Sequence, residues 1–328
     1  MADSRKSPFD LGVALPLKEK LKKFGLDGRH IAVAYSGGLD STVLLHALVC
    51  VLRETDLPIQ VGMSAIHINH GLSPNADLWE RHCQLFAEKS GVPFIAAKVN
   101  VHSCSGEGIE AAARKARREA LFANAGDLIC MAHHADDQAE TVLHNMLRGT
   151  GLRGAGGIPE FHGRVLRPFL SVRKETLRNY ALSHELAWIE DESNADRYFT
   201  RNYLRHEVLP TMSARFPRAV EQISRAAGKF SEAQALLDEL ALQDLKKTEL
   251  TFPVEISILR RLTELRASNL VRSLLSAQQV QLPDERRLNE FVRQVRTAAP
   301  DRQPRLDLHS YRLWVARKLL DFEKQDKS

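Results

Sequence analysis

The residues best suited to chemistry form one short run, Ser36, Gly37, Gly38, Leu39, Asp40 and Ser41. Gly37 and Gly38 let the backbone bend tightly and approach a ligand, while Ser36 and Ser41 add hydroxyls. An apolar stretch, His30–Tyr35, precedes the run and a helical pattern, Thr42–Arg53, follows it. The free N–H groups of that helix's first turn would therefore point at an anion held in the loop. The run reads as a phosphate cradle. It is not a Walker A loop, because GxxxxGK(S/T) is absent and no lysine is available to hold a γ-phosphate. Asp40 places a carboxylate beside the phosphates, which makes sense where it helps to hold Mg²⁺. The plain alternative is a glycine turn with a helix cap.

A second cluster comprises His133, His134, Asp136, Asp137 and Glu140. It follows the apolar stretch Leu128–Ala132 and opens the helical pattern Gln138–Arg148. Asp137 and Glu140 are spaced i, i+3, so their carboxylates emerge on one helix face. Two carboxylates aimed at a phosphate pocket make electrostatic sense if a cation binds between them. A lysine ε-ammonium fits that description, and so does Mg²⁺. Acids at a helix N-terminus are favoured by about 0.3–1 kcal/mol, which accounts for one acid rather than three acids and two histidines. A zinc site has no support from a fitting cysteine or an HExxH pattern.

Arginines supply the complementary charge. Arg114 and Arg118 lie one turn apart on a predicted helix, and paired guanidiniums suit a phosphate or a developing negative charge. Glu110 shares their face and offers Arg114 an ordinary ion pair; Arg117 and Arg118 read as a solvated helical surface. Arg148 and Arg153 flank or lie in a glycine-rich segment, Gly149–Gly157, which reads as a mobile stretch over the pocket able to contact phosphate or RNA. Arg201 and Arg205, at i, i+4, suit phosphate, although Asp191 could instead tie Arg201 into a structural pair. His67 and His70 sit near the end of another apolar stretch, Gln60–Ile68, where each could simply cap a strand.

The elements that must position these groups alternate. Apolar stretches His30–Tyr35, Gln60–Ile68, Pro93–Val99 and Leu128–Ala132 are each followed by a helical pattern. Strands alternating with helices predict an α/β fold, a doubly wound parallel sheet whose ligands bind at the C-terminal ends of the strands. A further strand over Val165–Leu170 and a helix from Arg173 extend this domain, taken as residues 1–213. A long helix over residues 214–248 reads as a linker. Residues 249–328 form a smaller, mostly helical second domain with two short strands around Arg305–Leu320.

Composition agrees with a soluble globular protein: 44% apolar and 27% charged residues. No stretch is apolar enough to cross a membrane, and no secretory signal is evident at the N-terminus. Cys50, Cys83, Cys104 and Cys130 form no CxxC pair, which with the missing signal points to a reduced cytoplasm. The net charge is +5, and all of that surplus lies between Ala214 and Ser328, because basic and acidic residues before it balance. Such a surplus fits a polyanion such as nucleic acid, or else a solvated helical surface.

The run SGGLDS resembles the signature of the PP-loop ATP pyrophosphatases, which adenylate a carbonyl oxygen and release pyrophosphate. Four further segments narrow the likeness: HINHGLS (His67–Ser73), EAAARKARREAL (Glu110–Leu121), AHHADDQAET (Ala132–Thr141) with RGTGLRGAGGI (Arg148–Ile158), and DESNADRYFTRNYLR (Asp191–Arg205). Together they resemble the tRNA(Ile)-lysidine synthases within that superfamily. Phe199 stands where an aromatic residue, often Tyr, is expected.

The resemblance implies a ligase that joins free L-lysine to C2 of the wobble cytidine of a tRNA(Ile) bearing a CAU anticodon. It implies ATP as substrate with Mg²⁺, an adenylated tRNA intermediate, and release of pyrophosphate and AMP. Ser36, Gly37, Gly38, Leu39, Asp40 and Ser41 would bind ATP, with the backbone around Ile66 and with His70 on the adenine side. Asp40 would hold the metal, Asp137 and Glu140 the lysine, and Arg114 the reacting nucleotide; Arg148, Arg153, Arg201 and Arg205 would meet tRNA. Longer relatives carry a further C-terminal domain, so the second domain here is expected to take on more of the tRNA recognition. A homodimer is left open. One rival is a PP-loop thiolase, which needs catalytic cysteines. None of the four lies in a motif loop, and Cys104 is the sole candidate. Another rival, a nucleotide-binding regulator without chemistry, leaves the acid cluster and the basic second domain unexplained.

Overall fold

A computed structural model describes residues 8–24, 28–54, 61–69, 71, 73–99, 109–190, 200–299 and 302–325. They divide into two compact units, Met1–Phe230 and Ser231–Ser328.

The first unit opens with α1 (Pro8–Lys23) and then alternates: β1 (His30–Ala34), α2 (Leu39–Arg53), β2 (Gly62–Asn69), α3 (Ala76–Ser90), β3 (Phe94–Lys98), α4 (Ile109–Asn124), β4 (Leu128–Cys130) and α5 (Ala135–Leu147). A short helical turn α6 (Leu152–Ala155), a hairpin of β5 (Phe161–His162) and β6 (Val165–Leu166), and α7 (Lys174–Ser183) come next. The six strands run in the order β3-β2-β1-β4-β6-β5. All neighbours are parallel except β5 and β6. The order reverses between β1 and β4, and a doubly wound sheet leaves its crevice at that reversal, outside the carboxyl ends of the strands.

Burial explains why these strands read as unbroken apolar runs. Ile31 and Val33 of β1, with Ala65, Leu128 and Cys130, pack under α1, α2, α3 and α7. Ala32, Ile66, Ile129 and Val165 point the opposite way and meet Leu121 and Phe122 of α4. Both faces of the central strands β1 and β4 are covered, so neither shows a period-2 alternation with polar residues.

Three features differ from the expectation. Helix α1 carries Pro16 in its interior, which breaks the helical signal in the sequence. Val13, Leu17 and Leu21 recur at i, i+4, i+8 and are fully buried. Burial of each contributes roughly 1.5–3 kcal/mol, enough together to outweigh a proline cost of about 3 kcal/mol. The expected strand at Val165–Leu170 ends at Leu166, because the residues after it turn back: the N–H of Leu170 bonds the carbonyl of Arg167. In the second unit a four-stranded antiparallel sheet takes the place of two terminal strands.

A helical tract links the two units: α8 (Thr200–Tyr203), a π turn (Leu204–Val208), α9 (Leu209–Arg215) and α10 (Ala219–Leu245). The division between the units falls inside α10. The second unit contains β7 (Val254–Glu255), α11 (Ile256–Arg261), α12 (Glu264–Ala277), α13 (Glu285–Thr297), β8 (Arg305–Leu308), β9 (Tyr311–Ala316) and β10 (Leu319–Lys324). Thr263 and Asp284 cap α12 and α13 by accepting the N–H groups of Arg266 and Arg287. Leu288, Phe291, Val292 and Val295 of α13 form one helical stripe and pack with Leu270, Val271 and Leu274 of α12. The basic surplus is shared between the units. Arg215, Arg218, Arg225 and Lys229 against Glu221 account for more than half of it and belong to the first unit.

Candidate active site

The glycine loop and the acid cluster meet at the reversal of strand order. Tyr35 ends β1 by donating its N–H to the Ile66 carbonyl at 2.8 Å. The imidazole of buried His67 lies 3.0 Å from the Tyr35 carbonyl through Nδ1, so His67 fixes the strand end below the loop. Ile66 itself is buried and its carbonyl is committed to the sheet.

Within the loop the serines tie the turn shut. Ser36 N–H donates to Ser41 Oγ at 3.2 Å, the two hydroxyls lie 3.1 Å apart, and Ser41 Oγ donates to the Gly38 carbonyl at 3.0 Å. Gly37 has φ +83°, and a Cβ there would stand 2.7 Å from both Cys83 Sγ and Ile189 Cδ1. Its carbonyl accepts from Ile189 N–H at 2.9 Å. Gly37 is therefore dictated by the fold. Gly38 is different: its φ is −73°, and a Cβ would find nothing closer than Ser36 Oγ at 3.5 Å. The bare backbone at Gly38 opens the N-terminus of α2, which has no side-chain cap of its own and so keeps N–H groups for an anion.

Asp40 stands on the first turn of α2. Its Oδ1 is buried with no hydrogen-bond partner among the described residues, and Oδ2 lies 3.6 Å from His134 Nε2. His134 in turn caps α5. Its Nδ1 lies 3.3 Å from the Asp137 backbone nitrogen, its own N–H donates to Asp137 Oδ2 at 3.1 Å, and Nε2 lies 3.4 Å from that oxygen. One buried imidazole thus spans the glycine loop and the acid cluster. Burial works against charge on Asp40, yet the hydrogen bond and charge of His134, with Lys174 and Arg205, hold its carboxyl below the usual range. Burial also opposes charge on His134, but Asp40, Asp137 and Asp136 lift its pKa above the ordinary histidine value. Burial lowers that of His133.

The acids divide their work. Asp136 is consumed structurally: it receives Arg173 at 3.2 and 3.3 Å and the Lys174 N–H at 2.8 Å, anchoring the start of α7. Asp137 and Glu140 do share a face, and a cation does lie between them. That cation is Arg205. Its Nε donates to Glu140 Oε2 at 3.0 Å and its Nη2 to Asp137 Oδ1 at 3.1 Å. Glu140 is 5% exposed. Burial, reinforced by Asp137, raises its pKa despite the guanidinium. Arg205 was expected on the phosphate side with Arg201; the π turn before Pro210 turns it onto the acids instead. Pro210 offers no N–H to the helix and its ring crowds the carbonyl four residues earlier, a local cause for the wider turn.

The glycine-rich segment is packed rather than loose. Gln138 accepts the Ile158 N–H at 2.6 Å and donates to the carbonyls of Ile158 and Gly156 at 3.0 and 3.3 Å. Asn145 donates to the Gly154 carbonyl at 2.8 Å. At Gly157, φ +67°, a Cβ would stand 2.5 Å from Gln138 Oε1. These bonds hold α6 on α5 and leave Arg148 and Arg153 exposed beside exposed Leu147 and Leu152. His70, Asp191, Asn194, Phe199 and Cys104 lie outside the described residues, as does the side chain of Arg114, whose backbone belongs to α4.

The donor set fits a hard cation shared with phosphate. Among the described residues no group of three or more His, Cys, Asp or Glu side chains could hold a metal ion unaided. An orphaned Asp40 oxygen beside an anion cradle suits Mg²⁺, which usually takes one or two carboxylates and completes its shell with phosphate and water. Cys83 and Cys130 do not suit sulfur transfer: Cys83 packs beneath Gly37 and Cys130 inside β4, and burial pushes both thiols up to about 12.

Residues 13–212 match the family model of the PP-loop domain, and residues 255–320 match that of the TilS substrate binding domain. A tRNA(Ile)-lysidine synthase of Alkalilimnicola ehrlichii is 46% identical over 83% of this chain and 62% of its own length. That of Coxiella burnetii is 38% identical over 89% and 66%, and that of Nitrosomonas europaea 34% identical over 99% and 72%. The chain belongs to the tRNA(Ile)-lysidine synthase family. It spans less than two thirds of the length of the first two of these relatives. Among solved structures, the U34-tRNA thiolase NcsA of Methanococcus maripaludis shares the fold, with a TM-score of 0.55 at 17% identity over 69% of this chain and 81% of that one. No helix among the described residues is long and apolar enough to cross a membrane.

Proposed function

We propose that this chain uses ATP to activate C2 of the wobble cytidine in a CAU-bearing tRNA(Ile) and then joins the ε-amine of free lysine to that carbon. The observation that carries the reading is the bridge made by His134, which brings a phosphate cradle and a pair of cation-binding carboxylates into one crevice. A nucleotide-binding fold alone needs only the cradle. An amine-transferring ligase needs both.

In the first step the cytosine O2 attacks the α-phosphorus of ATP and pyrophosphate departs. Ser36, Gly38, Leu39 and Ser41, with the N–H groups of α2, receive the phosphates. Asp40 would hold Mg²⁺, which when bound shields the charge of the departing pyrophosphate. In the second step the lysine amine attacks C2 and the C2–O bond breaks, releasing AMP. The amine reaches the site as an ammonium and must lose a proton first. Asp137 and Glu140 bind that ammonium, and Glu140, whose burial favours its protonated form, is the better acceptor of the proton. Arg114 is assigned to the reacting nucleotide, and His70 to the adenine side.

Arg148, Arg153 and Arg201 are assigned to RNA. So is a groove in the second unit between α13 and β8, lined by Arg286, Arg287 and Arg305 with Asp284 and Glu290. A cytoplasmic location is part of the same reading and agrees with a tRNA substrate. The test is to incubate the chain with ATP, labelled lysine and a tRNA(Ile) transcript. Label entering RNA together with AMP and pyrophosphate supports the reading. Sulfide-dependent labelling without lysine, or no AMP release, sinks it.

A further inference from the structure

The position between Asp137 and Glu140 is already filled. Arg205 makes two charge-assisted hydrogen bonds there, from different nitrogens to different acids. Three observations make this more than an ordinary ion pair. First, the acids are the pair whose spacing and burial mark them as a cation site, and Glu140 is almost fully buried. Such a carboxylate needs a partner whether or not substrate is present. Second, Arg205 is delivered by a π turn, Leu204–Val208, directly before Pro210. A π turn differs from the α-helix by one residue in hydrogen-bond register, so a return to the α register would carry a side chain with it. Third, Arg205 is joined to the phosphate loop by a short chain of contacts: the Asp137 carboxylate that it holds at 3.1 Å lies 3.4 Å from His134 Nε2, which lies 3.6 Å from Asp40 Oδ2. A guanidinium leaving Asp137 and Glu140 therefore has a second anion close by, the phosphates of a bound nucleotide. Its planar fork suits a phosphate as well as a carboxylate.

We propose that Arg205 is a resident stand-in for the substrate ammonium, one that bound ATP draws toward its phosphates, so that ATP opens the Asp137–Glu140 site to lysine. This rests on the reading of that site given above. Its consequence is a coupling between two ligands through one side chain. Lysine entering the empty protein must displace a tethered cation and binds weakly. With nucleotide present the tethered cation has somewhere to go and lysine binds more tightly. Linkage makes the effect mutual, so lysine must raise the affinity for the nucleotide by the same factor. The arrangement also keeps amines other than the substrate from settling between the acids when no ATP is bound.

The test is calorimetric titration of the full 328-residue chain with L-lysine, with and without α,β-methylene-ATP and Mg²⁺. The same titrations are run on Arg205→Gln and with n-butylammonium, which offers only an ammonium on an alkyl chain. The expected result is that nucleotide strengthens lysine binding to the native protein by at least about fivefold, the lower edge of ordinary allosteric coupling. In Arg205→Gln both amines bind more tightly than to the native protein, and the nucleotide no longer changes their affinity. Equal or weaker amine binding by Arg205→Gln, or a nucleotide effect that survives the substitution, overturns the proposal. Should Arg205→Gln fail to fold, the native chain labelled with ¹⁵N-arginine gives the answer. The protected Arg205 Nε–H signal, assigned by its loss in Arg205→Lys, must shift on adding the nucleotide. A signal unmoved at saturation overturns the proposal. If instead the lysine reading itself is wrong, n-butylammonium still gains affinity in Arg205→Gln while no lysine enters tRNA.

Discussion

Asp40 on the first turn of α2 and His134 at the N-cap of α5 face each other across the crevice with Oδ2 and Nε2 3.6 Å apart. Each shifts the other toward its charged form, and this has a sign that can be measured. The native state holds the His134 proton more tightly than the unfolded chain does. Its contribution to stability is complete below the ordinary value of 6.5 and is lost as pH rises through the higher native value. The contribution of Asp40 is present above 3.8 and is lost as pH falls through its lower native value. His134→Asn keeps an N-cap residue for α5 but removes the charge. Between about pH 6 and pH 9 the native chain is expected to lose more stability than His134→Asn, read from urea midpoints. Parallel curves would contradict the pairing.

The two glycines of the loop separate fold from function. Gly37→Ala places a Cβ against Cys83 and Ile189 at a positive φ and should cost about 1–3 kcal/mol, visible as a lower Tm. Gly38→Ala meets ordinary contact distances, so its Tm should match the native protein while nucleotide affinity falls. A stable, nucleotide-binding Gly38→Ala would remove the argument that this backbone approaches phosphate.

Much of this site is legible in sequence, and the reasons are local. The cradle announces itself because its glycines, serines and acid occupy consecutive positions between an apolar run and a helix. Asp137 and Glu140 are legible because helical spacing fixes them on one face. The engagement of Arg205 is not, since it joins residues 65 and 68 positions apart and depends on a π turn that no periodicity reveals. His67 looked equally suited to a pocket and to a strand end; only its contact with the Tyr35 carbonyl decides. Helix α1 left a trace in Val13, Leu17 and Leu21, masked by Pro16. The four-stranded sheet of the second unit pairs β7 with β10, strands far apart in the chain and too short to stand out.

Binding of tRNA should be steeply salt-dependent, with log K falling linearly against log salt. Arg286→Gln removes a charge from the groove of the second unit and should reduce that slope by about one without altering nucleotide affinity. An unchanged slope would take the groove out of the tRNA interface.

The two halves of the site can be cut apart. Asp40→Asn weakens the hold on Mg²⁺ and should lower pyrophosphate release by about 10²–10³-fold, the usual loss when one stabilising group of a developing anion is removed. Glu140 lies farther along α5 and does not touch His134, so Glu140→Gln should spare activation and stop transfer. The most direct test follows both products from one mixture of ATP, lysine and CAU-bearing tRNA(Ile). For Glu140→Gln the expected result is tRNA-dependent pyrophosphate release near the native rate, with lysine-dependent AMP release and lysine incorporation lost. Equal loss of pyrophosphate release and lysine incorporation in a folded Glu140→Gln protein would contradict it.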